Sequence, residues 1–268
     1  MSLAIQTAIV MVVLLVIMLA MGCSISVSVG LSSAAAMLCM LPAHVSFATS
    51  AQRLFAGSNS FSLIAIPFFI LAGNIMNNGG IAERLVNVAK VIAGRMPGAL
   101  AQSNVVANML FGAISGSGAA AAAAIGGTIG PMEKKEGYDP IYSSAVNIVS
   151  APTGMLIPPS NLMIVYSTIA GSVSVAALFM GGYLPGILWG VIVMILAGVA
   201  AKKRGYVAAE KIPMRMKIKV ILDALPSLLL IVIIIGGIML GVFTATEASA
   251  VAVAYATILG LIYKGINL

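Results

Sequence analysis

Two short tracts place uncharged oxygen atoms and interrupted backbone inside otherwise apolar sequence. Ser115, Gly116, Ser117 and Gly118 form the first; Thr153, Gly154, Pro158 and Ser160, within Ala151–Ser160, form the second. Hydroxyls and freed carbonyls without carboxylates suit a hard monovalent cation such as Na+. The glycines on either side of Ser117 predict an open turn with exposed carbonyls. In the second tract Pro152, Gly154, Pro158 and Pro159 are four helix breakers in close succession. Pro158 and Pro159 each lack an amide donor, and Pro159 pushes Pro158 away from helical geometry. Half-helices with unpaired ends result. Carbonyls at such ends coordinate cations, whereas the positive amino-terminal ends suit anions. Plainer readings exist: Gly112–Gly116 is a small-xxx-small packing motif, and a single proline kinks a membrane helix harmlessly. The clustering of four breakers favours a site.

These tracts require particular elements to hold them. Between Arg95 and Glu133 lie 37 residues without a charge. As one helix they would run ~55 Å, too long for a hydrocarbon core of ~30 Å, and two full crossings of ~20 residues plus a turn need more. The expectation is a re-entrant hairpin over 99–131 with Ser115–Gly118 at its tip. Non-helical backbone at that depth survives only where protein or a water-filled cavity satisfies it. The second tract interrupts a broken helix over 141–170.

Composition sets the class. The chain has 268 residues, 61% hydrophobic and 8% charged, with a mean hydropathy of +1.12. This predicts an all-α polytopic membrane protein. Runs such as Leu228–Ile235 lack the alternation of a transmembrane barrel. The net charge of +7 comes with few aromatic residues and no basic face, which argues against nucleic acid and for cytoplasmic loops. Cys23 and Cys39 read as packed thiols, and His44 as an isolated histidine, satisfied or solvated. Gly126–Gly130 has no lysine after it and follows no strand, so it is not a phosphate loop. With no nucleophile–base pair and no metal box, neither an enzyme nor a resident cofactor is expected.

Basic residues give the topology. Seven of them (Lys202, Lys203, Arg204, Lys211, Arg215, Lys217 and Lys219) crowd one loop, which must be cytoplasmic. Walking outward from it, only Arg53 of the fourteen basic residues falls outside. A first repeat covers 1–200, with spans at about 3–22, 24–42, 62–77 and 173–200 besides the hairpin and broken helix; an amphipathic surface helix fills 81–98. A cytoplasmic basic loop and connecting segment occupies 201–225. Two helices over 226–268 start a second repeat, because Leu240–Thr246 echoes Met21–Ser26 and five crossings separate the two starts. An odd number inverts the copy, as in secondary transporters. Glu247 is expected at the external interface or in a helix amino-terminal turn, with proton coupling the alternative role.

Gly112–Ala119, Gly126–Pro131, Gly137–Asp139, Pro158–Ser160 and Phe243–Ala248, in this order, resemble the large membrane subunit of tripartite ATP-independent periplasmic (TRAP) transporters. The resemblance runs over essentially the whole chain and corresponds to the amino-terminal portion of longer family members. It implies an inverted-repeat, elevator-type, Na+-coupled importer of an organic acid such as a C4-dicarboxylate or sialic acid, in the bacterial inner membrane. The implied partners are a small four-helix membrane subunit and a periplasmic substrate-binding protein. It also implies that Ser115–Gly118 and Thr153–Ser160 hold one Na+ and border the substrate. The alternatives are a single-component anion or dicarboxylate symporter, and a channel-like or structural subunit.

Overall fold

The computed structural model describes residues 3–171, 173–206, 208 and 213–265. The chain divides into two compact units, 1–60 and 61–268. The first holds α1 (Leu3–Ala20), α2 (Ile25–Leu38) and α3 (Ala43–Ser58). α2 packs on α1 and buries Ser28, Ser32 and Ala36, one residue per turn. The two serine hydroxyls donate back to Ser24 and Val29 carbonyls of their own segment, so nothing polar is left bare on that face. The segment 43–60, which carries the externally placed Arg53, is largely helical. Both cysteines are free, and Cys39 is exposed rather than packed.

The second unit contains the hairpin and the broken helix. A 3-10 turn (Phe61–Ile64) leads into α4 (Ala65–Asn78), then α5 (Ile81–Ala93), α6 (Ala99–Ser115) and α7 (Gly118–Lys135). α8 (Pro140–Ser150), the single turn α9 (Thr153–Leu156) and α10 (Asn161–Ala170) follow, then α11 (Val175–Lys203), α12 (Met214–Met239) and α13 (Ala245–Ile262). No strand occurs among the described residues. Five helices or helical stretches are long and apolar enough to cross a membrane, or six if the pair meeting at 48° between Leu156 and Asn161 is one broken span. With its apolar surface turned outward, this is a multi-pass helical membrane protein.

Local chemistry fixes several boundaries. Asp139 caps α8, accepting from the Ile141 amide at 3.0 Å, with Pro140 in the first turn. Thr244 and Glu247 form a reciprocal capping box on α13. Glu247 therefore sits in a helix amino-terminal turn. α5 is amphipathic and ends at Ala93; its apolar face is buried, packed mainly against α6 and α12. Arg84 on it pairs with Asp223 at 3.1 Å and lies 3.5 Å over the Tyr263 ring. The expected connecting segment 201–225 needs correction: α12 begins at Met214, so Arg215, Lys217 and Lys219 are helical. Lys211 lies outside the described residues.

Candidate functional site

α6 is enclosed by protein. Every residue except Met109 and Leu110 is buried, which meets the condition for irregular backbone within a membrane protein. The helix stops at Gly116, whose φ of +61° is left-handed. A side chain there would be strained and would also lie 3.0 Å from the Pro159 carbonyl oxygen. Ser117 restarts the chain as the cap of α7, accepting from the Ala120 amide at 3.3 Å. Glycine's conformational role thus falls on Gly116. Gly118, expected to share it, is the first residue of α7, and its constraint is space: an added Cβ would meet the Ala151 carbonyl oxygen at 2.9 Å.

The two tracts meet. The Asn161 amide donates to the Gly116 carbonyl at 3.1 Å, joining the hairpin tip to the start of α10. Ser160 caps α10, accepting from the Met163 amide, while its Oγ donates to the Met155 carbonyl at 2.5 Å. Ser115 is fully buried beneath Gly73 of α4, where an added Cβ would lie 3.0 Å from the Ser115 Cβ. The carboxyl ends of α6 and α9 and the amino ends of α7 and α10 converge here. Carbonyls and hydroxyls for a cation and helix amino ends for an anion lie in one place.

Not every expected residue lies at the tip. Thr153 and Gly154 belong to α9, and the open loop is shorter than expected, Ile157–Ser160. The Thr153 hydroxyl donates to the Ser150 carbonyl at 2.7 Å. Gly154 packs on Gly112, where a Cβ added to Gly112 would lie 2.1 Å from the Gly154 Cα. Here α6 and α9 touch backbone to backbone. Pro158 contributes no hydroxyl, so only its carbonyl could serve. Beneath the loop runs α11, whose Gly182 and Gly186 face Leu156 and Ile157.

Sequence reasoning missed several polar residues. Asn161 Oδ1 is buried without a partner, beside Gly116; its signal was an amide following Ser160 in an apolar span. Behind the tip, Asn108 Nδ2 shares its two N–H groups among three acceptors within reach, Asn104 Oδ1 (2.7 Å), Ser150 Oγ (2.9 Å) and Asn147 Oδ1 (3.1 Å). Asn147 Nδ2 donates in turn to the Ala122 carbonyl at 2.9 Å. These amides tie both hairpin helices to α8. Asn104 and Asn108, four apart, were legible as one face of a helix. Asn147 and Ser150 have the matching spacing on α8.

At the hairpin base, Tyr206 stacks on Tyr138 with centroids 4.2 Å apart and accepts from the Asp139 amide at 2.8 Å. Glu133, the first charge after the uncharged stretch, is buried. That burial pushes its carboxyl up to about 7, opposed by the nearby Ser143 hydroxyl. Among the described residues no group of His, Cys, Asp or Glu could hold a metal ion, so any cation at the tip would rely on carbonyl, hydroxyl and amide oxygens.

Comparison with known proteins bears on this arrangement. Residues 12–268 match the family described as tripartite ATP-independent periplasmic transporter, DctM component. An uncharacterised protein, YgiK, of Salmonella typhimurium is 54% identical over 92% of this chain and 57% of its own length. The C4-dicarboxylate TRAP transporter large permease protein of Rhodobacter capsulatus is 36% identical over 98% of this chain and 62% of its own length. The sialic acid TRAP transporter large permease protein of Vibrio cholerae is 39% identical over 82% and 51%. The chain thus spans a little over half the length of these curated relatives.

Proposed function

Because this chain belongs to the DctM-component family of tripartite ATP-independent periplasmic transporters, we propose that it supplies one Na+ site, and the adjoining border of an organic-acid site, to a transporter of the bacterial inner membrane. The observation that carries this reading is the Asn161–Gly116 hydrogen bond, which joins two interrupted backbones at one point. Last-turn carbonyls of α6, the Ser115 and Ser117 hydroxyls and the unpartnered Asn161 Oδ1 supply neutral oxygens. A hydroxyl that donates to a carbonyl keeps lone pairs for an ion. The amino ends of α7 and α10 favour a carboxylate close by.

Two relatives are named for C4-dicarboxylate and sialic acid transport; both substrates carry carboxylates, which supports an organic acid here. In this reading a periplasmic binding protein delivers the substrate and a small four-helix membrane subunit completes the assembly. The hairpin and broken helix move together as the mobile body of an elevator, inverted repeats providing the second half of the site. Dependence of uptake on the binding protein separates this reading from a single-component symporter.

The test is Na+-driven uptake by the full-length transporter in proteoliposomes, with binding protein and small subunit present. Ser115→Ala, Ser117→Ala and Asn161→Ala should each raise the Na+ concentration for half-maximal uptake, by about tenfold for a lost ion–dipole contact. Ala123→Ser, exposed on α7, should change little. An unaltered Na+ dependence in all three variants refutes the site.

A further inference from the structure

Away from the hairpin tip, α11 and the segment preceding α6 enclose a groove of 510 Å³. One wall is a single stripe of α11, running from Val191 through Ile195 and Gly198 to Lys202. Its ends are eleven positions apart, so the stripe is ~16 Å long. The other wall includes Met96 and Pro97. Val191, Ile195 and Met96 are all exposed, so the groove opens sideways from a span rather than into the protein. Gly198 leaves it unobstructed, and an added Cβ there would lie 2.9 Å from Gln102 Nε2.

The charge at one end is unbalanced. Lys202 closes the apolar stripe and Lys203 follows it, while Arg95 immediately precedes Met96 in the chain. Among the described residues none of these three has an acidic partner, and the ion pair formed is Arg84–Asp223. An apolar channel ending in uncompensated cations matches a chain-bearing anion. A free phosphate would leave ~16 Å of apolar wall unused. A partner helix, ~10–12 Å across, would fill roughly 1,300–1,800 Å³ over that length, well over twice the groove's 510 Å³.

We propose that this groove is a binding site for an anionic phospholipid, with one acyl chain along the Val191–Gly198 stripe and the phosphate at Lys202. The headgroup charge supplies the selectivity and the chain supplies the register.

Native mass spectrometry of the full-length protein, delipidated and then given dioleoyl phosphatidylglycerol or dioleoyl phosphatidylcholine, tests the assignment. One phosphatidylglycerol should be retained about fivefold better than phosphatidylcholine, the effect of one basic residue beside an anionic lipid. Lys202→Gln, at an exposed position, should bring retention down to the phosphatidylcholine level. Val199→Trp, which narrows the groove, should lower retention of both lipids, with an unfolding temperature matching the parent. Excess inorganic phosphate should leave the adduct in place. Equal retention of the two lipids, full retention in both variants or displacement by inorganic phosphate would each overturn the proposal. So would Val199→Cys shielded from maleimide by the small subunit but not by lipid, which assigns the groove to a protein.

Discussion

Pro185 and the Pro152–Pro159 tract sit in neighbouring apolar segments with opposite outcomes. α11 runs unbroken through Pro185, as α7 does through Pro131 and α12 through Pro226. The other segment breaks into α8, α9 and α10, bent by 48°. One proline removes one amide and leaves the remaining ladder to hold the axis. Adjacent Pro158 and Pro159 remove two, and Ser160 then supplies a cap that stabilises a new start. A break in a membrane helix needs both the loss of the old hydrogen bonds and a partner for the new ends. The continuous helix also serves the broken one, because Gly182 and Gly186 of α11 receive Leu156 and Ile157.

The largest effect is expected at Gly112. Gly112→Ala places a Cβ 2.1 Å from the Gly154 Cα, where neither backbone can yield locally. Uptake by the full-length transporter should be lost and its unfolding temperature should fall sharply, because overpacking costs about 1–3 kcal/mol even where side chains can adjust. Parent-like uptake would mean that α6 and α9 need not touch.

Gly116→Ala comes next. Its left-handed backbone costs about 1–2 kcal/mol with a side chain, and the Pro159 carbonyl must also shift. Uptake should drop several-fold or more, with the protein still inserted as judged by cysteine labelling. Gly137→Ala, also at positive φ but with nothing near its Cβ, isolates the strain from the loss of contact and should retain more activity.

A third effect is set by pH and concerns the far end of α7, beyond its own tolerated proline. With the Glu133 carboxyl raised to about 7, the folded state binds the proton more tightly than the unfolded state does. The resulting stability is full below the ordinary carboxylate range and is lost as pH rises toward 7. Thermal unfolding between pH 4.5 and 7.5 should show the parent losing several degrees relative to Glu133→Gln. Parallel curves would place the carboxylate in contact with water.

The smallest effect belongs to Pro185→Ala. Restoring one amide to an unbroken helix should leave uptake near the parent level and stability equal or slightly higher. A large loss would show that Pro185 itself positions the floor beneath Ile157.

The expected hairpin, 99–131, corresponds to α6 and α7, because a long uncharged stretch flanked by basic residues has few solutions. The broken helix was equally legible, since prolines act through covalent geometry. What escaped depended on tertiary neighbours. Gly116 and Gly118 look interchangeable in sequence, and only the approach of Pro159 and Ala151 tells them apart. Asn104 and Asn108 share a helix face in the sequence, but Asn147 lies 39 positions beyond Asn108 and only packing brings it within hydrogen-bond distance. The start of α12 was hidden because Arg215, Lys217 and Lys219 read as loop, although charged side chains are compatible with helix once the backbone leaves the apolar layer.

The meeting of Gly112 and Gly154 has a genetic corollary. An oversized residue in a protein interior is often rescued by trimming its neighbour. Here the neighbour is already glycine on both sides, so neither has anything to give up. Revertants of a substitution at either position should be restorations of glycine or changes elsewhere that re-seat a whole helix, and never compensation between the two.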